Sequence, residues 1–227
     1  MPPRGIKKKA QIIYQLLMKK YSLPHWHSPQ PPLDELISTI LSQNTNDSNR
    51  DRAFKQLRTH FQSWEQVRDA PLEEIISAIR PAGLANRKGP RIQNILQQIT
   101  NEHGSLALDF LKNLSKEETR SWLLRFNGVG PKTAAIVMLF SLSIPAFPVD
   151  THIYRVSGRL GLRPEKMSVS QAHTYLESLF NPKQYVAMHL NLIRLGREIC
   201  HARQPECHIC PLKAHCYFHY NLCAKSK

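Results

Sequence analysis

A chain of 227 residues with 41% hydrophobic content is long enough for one sizeable core or two small ones, which excludes disorder as its resting state. Its 31 Lys and Arg against 17 Asp and Glu give a formal charge of +14, a field that attracts polyanions. Nucleic acid is therefore the first partner to consider, with a merely basic, soluble surface as the bland alternative. The longest uninterrupted apolar run, residues 134–140, has seven residues against the roughly 20 a bilayer requires, which argues against a transmembrane helix and a membrane partner.

In chain order, the N-terminal Met-Pro-Pro-Arg-Gly-Ile-Lys-Lys-Lys is basic and leads into an amphipathic stretch (Ile12, Leu16, Leu17) without the apolar block of a secretory signal. All five cysteines lie between positions 200 and 223, so no disulfide framework runs through the fold. Both features predict a reducing intracellular compartment, cytoplasm or nucleoid in a prokaryote. Residues 25–32 contain three prolines and mark a domain junction. Leu33, Leu36, Ile37, Ile40 and Leu41 then recur at helical spacing, as do Ile92, Ile95, Leu96 and Ile99. Ser63 with Gln66, Ser115 with Glu118 and Ser168 with Gln171 have the spacing of capping boxes, and Pro71 suits a first helical turn. Residues 131–142 are apolar nearly all round and predict a central buried helix whose N-terminal end, carrying Lys132, lies near solvent. No sustained alternation argues for a strand, so the predicted class is all-α.

Between the helices predicted at Ser115 and at Pro131 lies Phe126-Asn127-Gly128-Val129-Gly130, the signature of a helix-hairpin-helix. Gly128 and Gly130 are placed to take positive φ and let backbone approach a ligand, Val129 is placed to pack inward, and the N–H groups of the next helix start face an anion. A DNA phosphate is the natural anion, bound without reading a base. An ordinary glycine-containing connection between antiparallel helices would look the same locally. Lys132 follows the turn at once, Val149-Asp150-Thr151-His152 comes eighteen residues later, and Cys200, Cys207, Cys210 and Cys216 form a Cys-x6-Cys-x2-Cys-x5-Cys run near the C-terminus. Four thiolates at this spacing can encircle one compact metal centre; tetrahedral zinc is the generic candidate, although it more often pairs two short-spaced knuckles.

Together these motifs resemble the endonuclease III branch of the helix-hairpin-helix (HhH-GPD) DNA glycosylases, from about residue 33 to residue 216. The resemblance implies two helical lobes with the active site in the cleft between them. Residues 29–144 would form a central lobe containing the hairpin at about 115–142. Residues 1–28 and 145–227 would form the second, with a [4Fe–4S] cluster loop at 200–216. It further implies a monomeric, bifunctional glycosylase and lyase acting on double-stranded DNA that holds a damaged or mismatched base or an abasic site. Lys132 would attack C1′ of the sugar, pass through a Schiff base and cleave 3′ to the site by β-elimination. The amine must first lose its proton, which a helix N-terminus and partial burial both favour. Asp150 would accept that proton or stabilise the cationic sugar, although its position also fits a helix N-cap alone.

By the same resemblance Asn44 fills the space of the flipped nucleotide, Leu84 wedges against the opposite strand, and Arg87, Lys88 and Arg91 contact phosphates. Gly128, Val129, Gly130 and His152 complete the DNA-binding set. For Leu84 a core position is the competing reading, and for Asn44 a turn or cap. The cluster would pin a loop carrying Arg203, His208 and Lys213 beside the DNA, with Cys223 a free thiol outside the ligand set. Asn127, Pro131 and Asn44 depart from the proline, basic residue and glutamine usual at these places. Oxidised pyrimidines are the family's default substrate; uracil or thymine opposite guanine is the alternative. An adenine-excising enzyme would want a carboxylate where Ser38 and Thr39 stand. A non-catalytic DNA-binding module with a structural metal is the reading from another class.

Overall fold

The computed structural model describes residues 2–24 and 29–225, with side chains to Asn221, so residues 25–28 of the proline-rich stretch and the Cys223 thiol lie outside it. The described residues contain helices and no strand. In chain order these are α1 (Arg4–Tyr21), α2 (Pro32–Leu41), α3 (Asp47–His60), α4 (Trp64–Asp69), α5 (Leu72–Ala78), α6 (Ala85–His103), α7 (Lys116–Leu124), α8 (Pro131–Ile136), α9 (Thr151–Arg159), α10 (Val169–Glu177), α11 (Tyr185–Glu198) and α12 (Tyr217–Lys225). No helix among the described residues is long and apolar enough to cross a membrane.

The chain divides into two compact units: Pro29–Ile144, and Met1–Ser28 joined with Pro145–Lys227. In the first, the apolar stripe of α2 (Leu33, Leu36, Ile37, Ile40, Leu41) is fully buried against α3, α6 and α8. The matching stripe of α6 (Ile92, Ile95, Leu96, Ile99) is buried against α4 and α5. In the second, α11 packs against both α9 and α1, with Ile13 and Leu17 meeting a core that includes Met188, Leu192 and Leu195. Asn191 Nδ2 ties α11 to the end of α1 by donating to Ser22 O at 3.2 Å.

Helix starts follow the chemistry of their first residues. Ser115 and Ser168 form reciprocal capping boxes with Glu118 and Gln171. Ser63 caps its helix through Gln66 N, but the Gln66 side chain turns to Gln62 N at 2.7 Å, so the expected box is open on one side. Pro71 stands one position earlier than expected, as the N-cap of α5. The continuous helix expected over 131–142 ends as an α-helix at Ile136 and widens into a π-helical turn over Val137–Ser141. Leu142 N bonds to Val137 O at 3.1 Å, and Ser141 Oγ donates to Gln30 O. A segment apolar on all sides gains burial in either winding, so packing rather than helical phase decides where the extra residue goes.

Candidate active site

The hairpin is set by one glycine rather than two. Gly128 has φ +83°, the region that favours glycine, and a Cβ built there would lie 2.0 Å from Arg91 Nε, so any other residue would strain the backbone and displace the guanidinium. Gly130 departs from expectation: its φ of −96° and ψ of −179° are extended, and it serves as the N-cap of α8. Val129, 5% exposed, packs inward and closes the turn through Val129 N to Phe126 O at 3.0 Å. The first turn of α8 leaves the N–H groups of Lys132 and Thr133 without helical acceptors, the arrangement that attracts a phosphate. Lys132 itself is half-buried on that turn.

Asn44 and Leu84 are both exposed, and both hold left-handed backbone, at φ +54° and +51°. For a residue without glycine's freedom that conformation costs roughly 1–3 kcal/mol and is kept only where the surroundings impose it. Leu84, 46% exposed at the N-cap of α6, is thus not a core leucine. Arg87 is exposed beside it. Lys88 is a correction: it is 2% exposed, with Nζ donating to Leu41 O at 2.7 Å and Ala82 O at 2.9 Å, so it cannot reach a phosphate. Burial, with Arg91 nearby, pushes its ammonium down to about 8. The sequence signal was present, since position 88 lies four residues before Ile92 on the buried stripe. Arg91 donates to Gln43 Oε1 at 2.8 Å, and Gln43 Nε2 donates to Gly128 O at 2.9 Å. Gln43 was not anticipated; nothing in its local sequence announces a bond 85 residues away.

In the other unit Asp150 is the N-cap of α9, its Oδ1 accepting from Ile153 N at 2.7 Å. The segment leading to it is anchored by groups the sequence did not reveal. Phe147 N donates to Glu177 Oε2 at 3.2 Å, while His173 Nδ1 and His189 Nδ1 stand 3.1 and 3.0 Å from Phe147 O and Pro148 O. A carbonyl only accepts, so both imidazoles carry their proton on Nδ1. His152 is half-buried against Gly196, whose added Cβ would lie 2.9 Å from His152 Cβ, and its Nδ1 receives Arg155 Nη2 at 3.1 Å. That places His152 in the α9–α11 packing.

Cys200, Cys207, Cys210 and Cys216 are half-buried, form no disulfides and line a single cavity with about 380 Å³ of empty space, its open mouth included. Val156, Leu160, Leu195 and Ile199 form its apolar wall. Among the described residues no three His, Cys, Asp or Glu side chains are grouped as the ligands of a single ion. Four cysteine side chains lining one cavity form a donor set of the kind that holds a metal centre. Burial pushes the Cys210 thiol up, and the other three cysteines push it further. Arg159 holds the loop from α9, donating to Cys200 Sγ at 3.4 Å and to Ala202 O at 2.9 Å.

A glycine hairpin leading into the first turn of a buried helix is the arrangement after which a class is named, the helix-hairpin-helix DNA glycosylases. A family model described as HhH-GPD superfamily base excision DNA repair protein matches residues 37–182, and the chain belongs to that superfamily as an endonuclease III-like member. Endonuclease III of Thermotoga maritima is 32% identical over 200 residues, which are 86% of this chain and 87% of that protein. An Arabidopsis thaliana relative, a DNA glycosylase by name, is 42% identical over 144 residues; the chain spans about half (49%) of its length. The solved structure of a trapped endonuclease III–DNA covalent intermediate matches with a TM-score of 0.83 at 26% identity, covering 98% of this chain and 100% of that one.

Proposed function

We propose that this protein is a bifunctional glycosylase and abasic-site lyase of base excision repair, acting on damaged pyrimidines, chiefly oxidised ones, in duplex DNA. The observation that carries the reading is the place of Lys132, directly after the hairpin: a backbone phosphate held at the first turn of α8 brings the neighbouring sugar to the amine. The Lys132 Nζ lone pair attacks C1′ as the glycosidic bond breaks and the base departs with the electron pair. The sugar ring opens to an iminium on Nζ. Loss of a proton from C2′ expels the 3′ phosphate, and water then frees the amine. Asp150, held in place by its cap bond from Ile153 N, takes the proton that Lys132 must lose and offsets positive charge on the sugar. The reading requires both residues to meet the same nucleotide. Asn44 and Leu84, exposed on strained loops, would enter the stack as the nucleotide leaves it.

Cys200, Cys207, Cys210 and Cys216 would hold a [4Fe–4S] cluster. When bound, the cluster supplies a compact multi-sulfur anchor for residues 200–216. Arg159 braces the same loop through Cys200 Sγ and Ala202 O. Iron and acid-labile sulfide at a ratio near one, in protein purified without oxygen, is the expected result; zinc without sulfide would overturn it. Sodium borohydride should trap the wild type covalently on duplex with an oxidised pyrimidine, and Lys132→Ala should abolish the adduct. Trapping that persists at another residue defeats the assignment. A panel of single-lesion duplexes, including uracil and thymine opposite guanine, separates the oxidised-base preference from mismatch excision.

A further inference from the structure

Lys88 is the most deeply buried cation of the Pro29–Ile144 unit, and neither its charge nor its burial is used by the chemistry above. Its two acceptors are informative. Leu41 is the last residue of α2, and the chain runs from it through Gln43 into Asn44. Ala82 closes the short helical turn Arg80–Ala82, and the chain runs from it through Gly83 into Leu84. Both carbonyls are at helical C-terminal ends, where they lack helical donors and carry partial negative charge. One ammonium therefore caps the two segments that deliver the two left-handed, exposed residues. Its own backbone N–H adds a third tie, to Leu84 O at 3.0 Å.

One turn along α6, Arg91 extends the same connection. Its guanidinium binds Gln43 Oε1 and lies across Gly128, and the Gln43 amide donates to Gly128 O. The connection thus runs from the Leu84 loop through Lys88 to the Asn44 loop, and from there through Gln43 and Arg91 to the hairpin. Each link is a side chain bonded to a backbone carbonyl or to the next side chain, on elements of one unit.

We propose that Lys88 is a positioning residue: with Arg91 and Gln43 it joins the Asn44 loop, the Leu84 loop and the Gly128 hairpin into one rigid block. Asn44 and Leu84 then meet the duplex at a fixed separation and a fixed distance from the phosphate grip. This rests on the proposed role of the two loops in opening the duplex. A brace of this kind explains how two exposed, strained residues keep their conformations.

The full chain carrying Lys88→Met tests it. Amide hydrogen exchange should accelerate about tenfold in both 43–46 and 83–86, with α9 unchanged. Single-turnover excision from duplex should fall about tenfold or more, while cleavage of a preformed abasic site in single-stranded DNA stays within about twofold. The fluorescence rise of 2-aminopurine placed opposite the lesion should shrink in parallel. Equal losses on duplex and single strand overturn the positioning role. Faster exchange in one loop only, or in neither, overturns the brace whatever the activity. A wild type that nicks no abasic DNA defeats the proposed function instead, and the exchange measurement then decides the brace alone. If Lys88→Met does not fold, Gln43→Met should loosen 43–46 and the hairpin together; loosening of neither overturns the proposal.

Discussion

The two units hold their functional segments in order by different means. In Pro29–Ile144 the exposed loops are short and tied directly to a buried stripe: Ala82, Lys88, Gly89 and Ile92 all lie inside, within a few residues of Leu84. In the other unit, Asp150 is anchored as firmly, through the buried carbonyls of Phe147 and Pro148, but the cysteine loop is not. Between residues 201 and 221 only Leu212 is buried. A segment of that length with so little core offsets little of its own conformational entropy by burial, and on the proposed reading a cross-link through the four cysteines makes up the rest. On that reading the contrast is between order that comes from packing and order that four sulfurs supply.

The largest effect expected concerns the well-anchored side of the second unit. Asp150→Asn keeps an N-cap of equal quality but removes the carboxylate, so excision should fall by about 10²–10⁴-fold while the melting temperature barely moves. A large drop in melting temperature would place Asp150 with the structural residues instead. Cys207→Ser strikes the contrast itself. Exchange across 200–216 should approach that of an unstructured chain while α6 keeps its protection, and a loop that stays protected would mean that it is ordered by packing after all. Smaller still is Gly128→Ala, where positive φ and the Arg91 guanidinium together should cost roughly 1–3 kcal/mol, read by urea unfolding. Smallest is Gly130→Ser two residues on, in extended backbone with nothing within 4 Å of the new Cβ. It should stay within about 0.5 kcal/mol of the wild type.

Much of this was legible in the sequence because it was local. The stripes of α2 and α6, the boxes at Ser115 and Ser168, the cap at Asp150 and the turn at Gly128 each depend on residues within a few positions of one another. Lys88 was legible by phase but not by type, since a charged residue on a buried stripe invites the reading that it turns outward. The π-helical turn over Val137–Ser141 was not legible, because an all-apolar segment has no phase to break. Gln43, His173 and His189 were hidden for a further reason. Each satisfies a backbone carbonyl distant in sequence, and every residue type offers that carbonyl alike.

Leu84 carries a consequence for the timing of lesion search. Its left-handed backbone is held by bonds from Arg87 N and Lys88 N to Leu84 O, so the conformational cost of aiming it is met by α6 itself rather than by contacts to DNA. On the proposed reading little remains for the protein to rearrange at the moment of engagement, and the slow event belongs to the duplex. Engagement would then be governed by how readily a given base pair unstacks, and weakened pairs would be found first by the kinetics of DNA breathing, before any chemical recognition of the base begins.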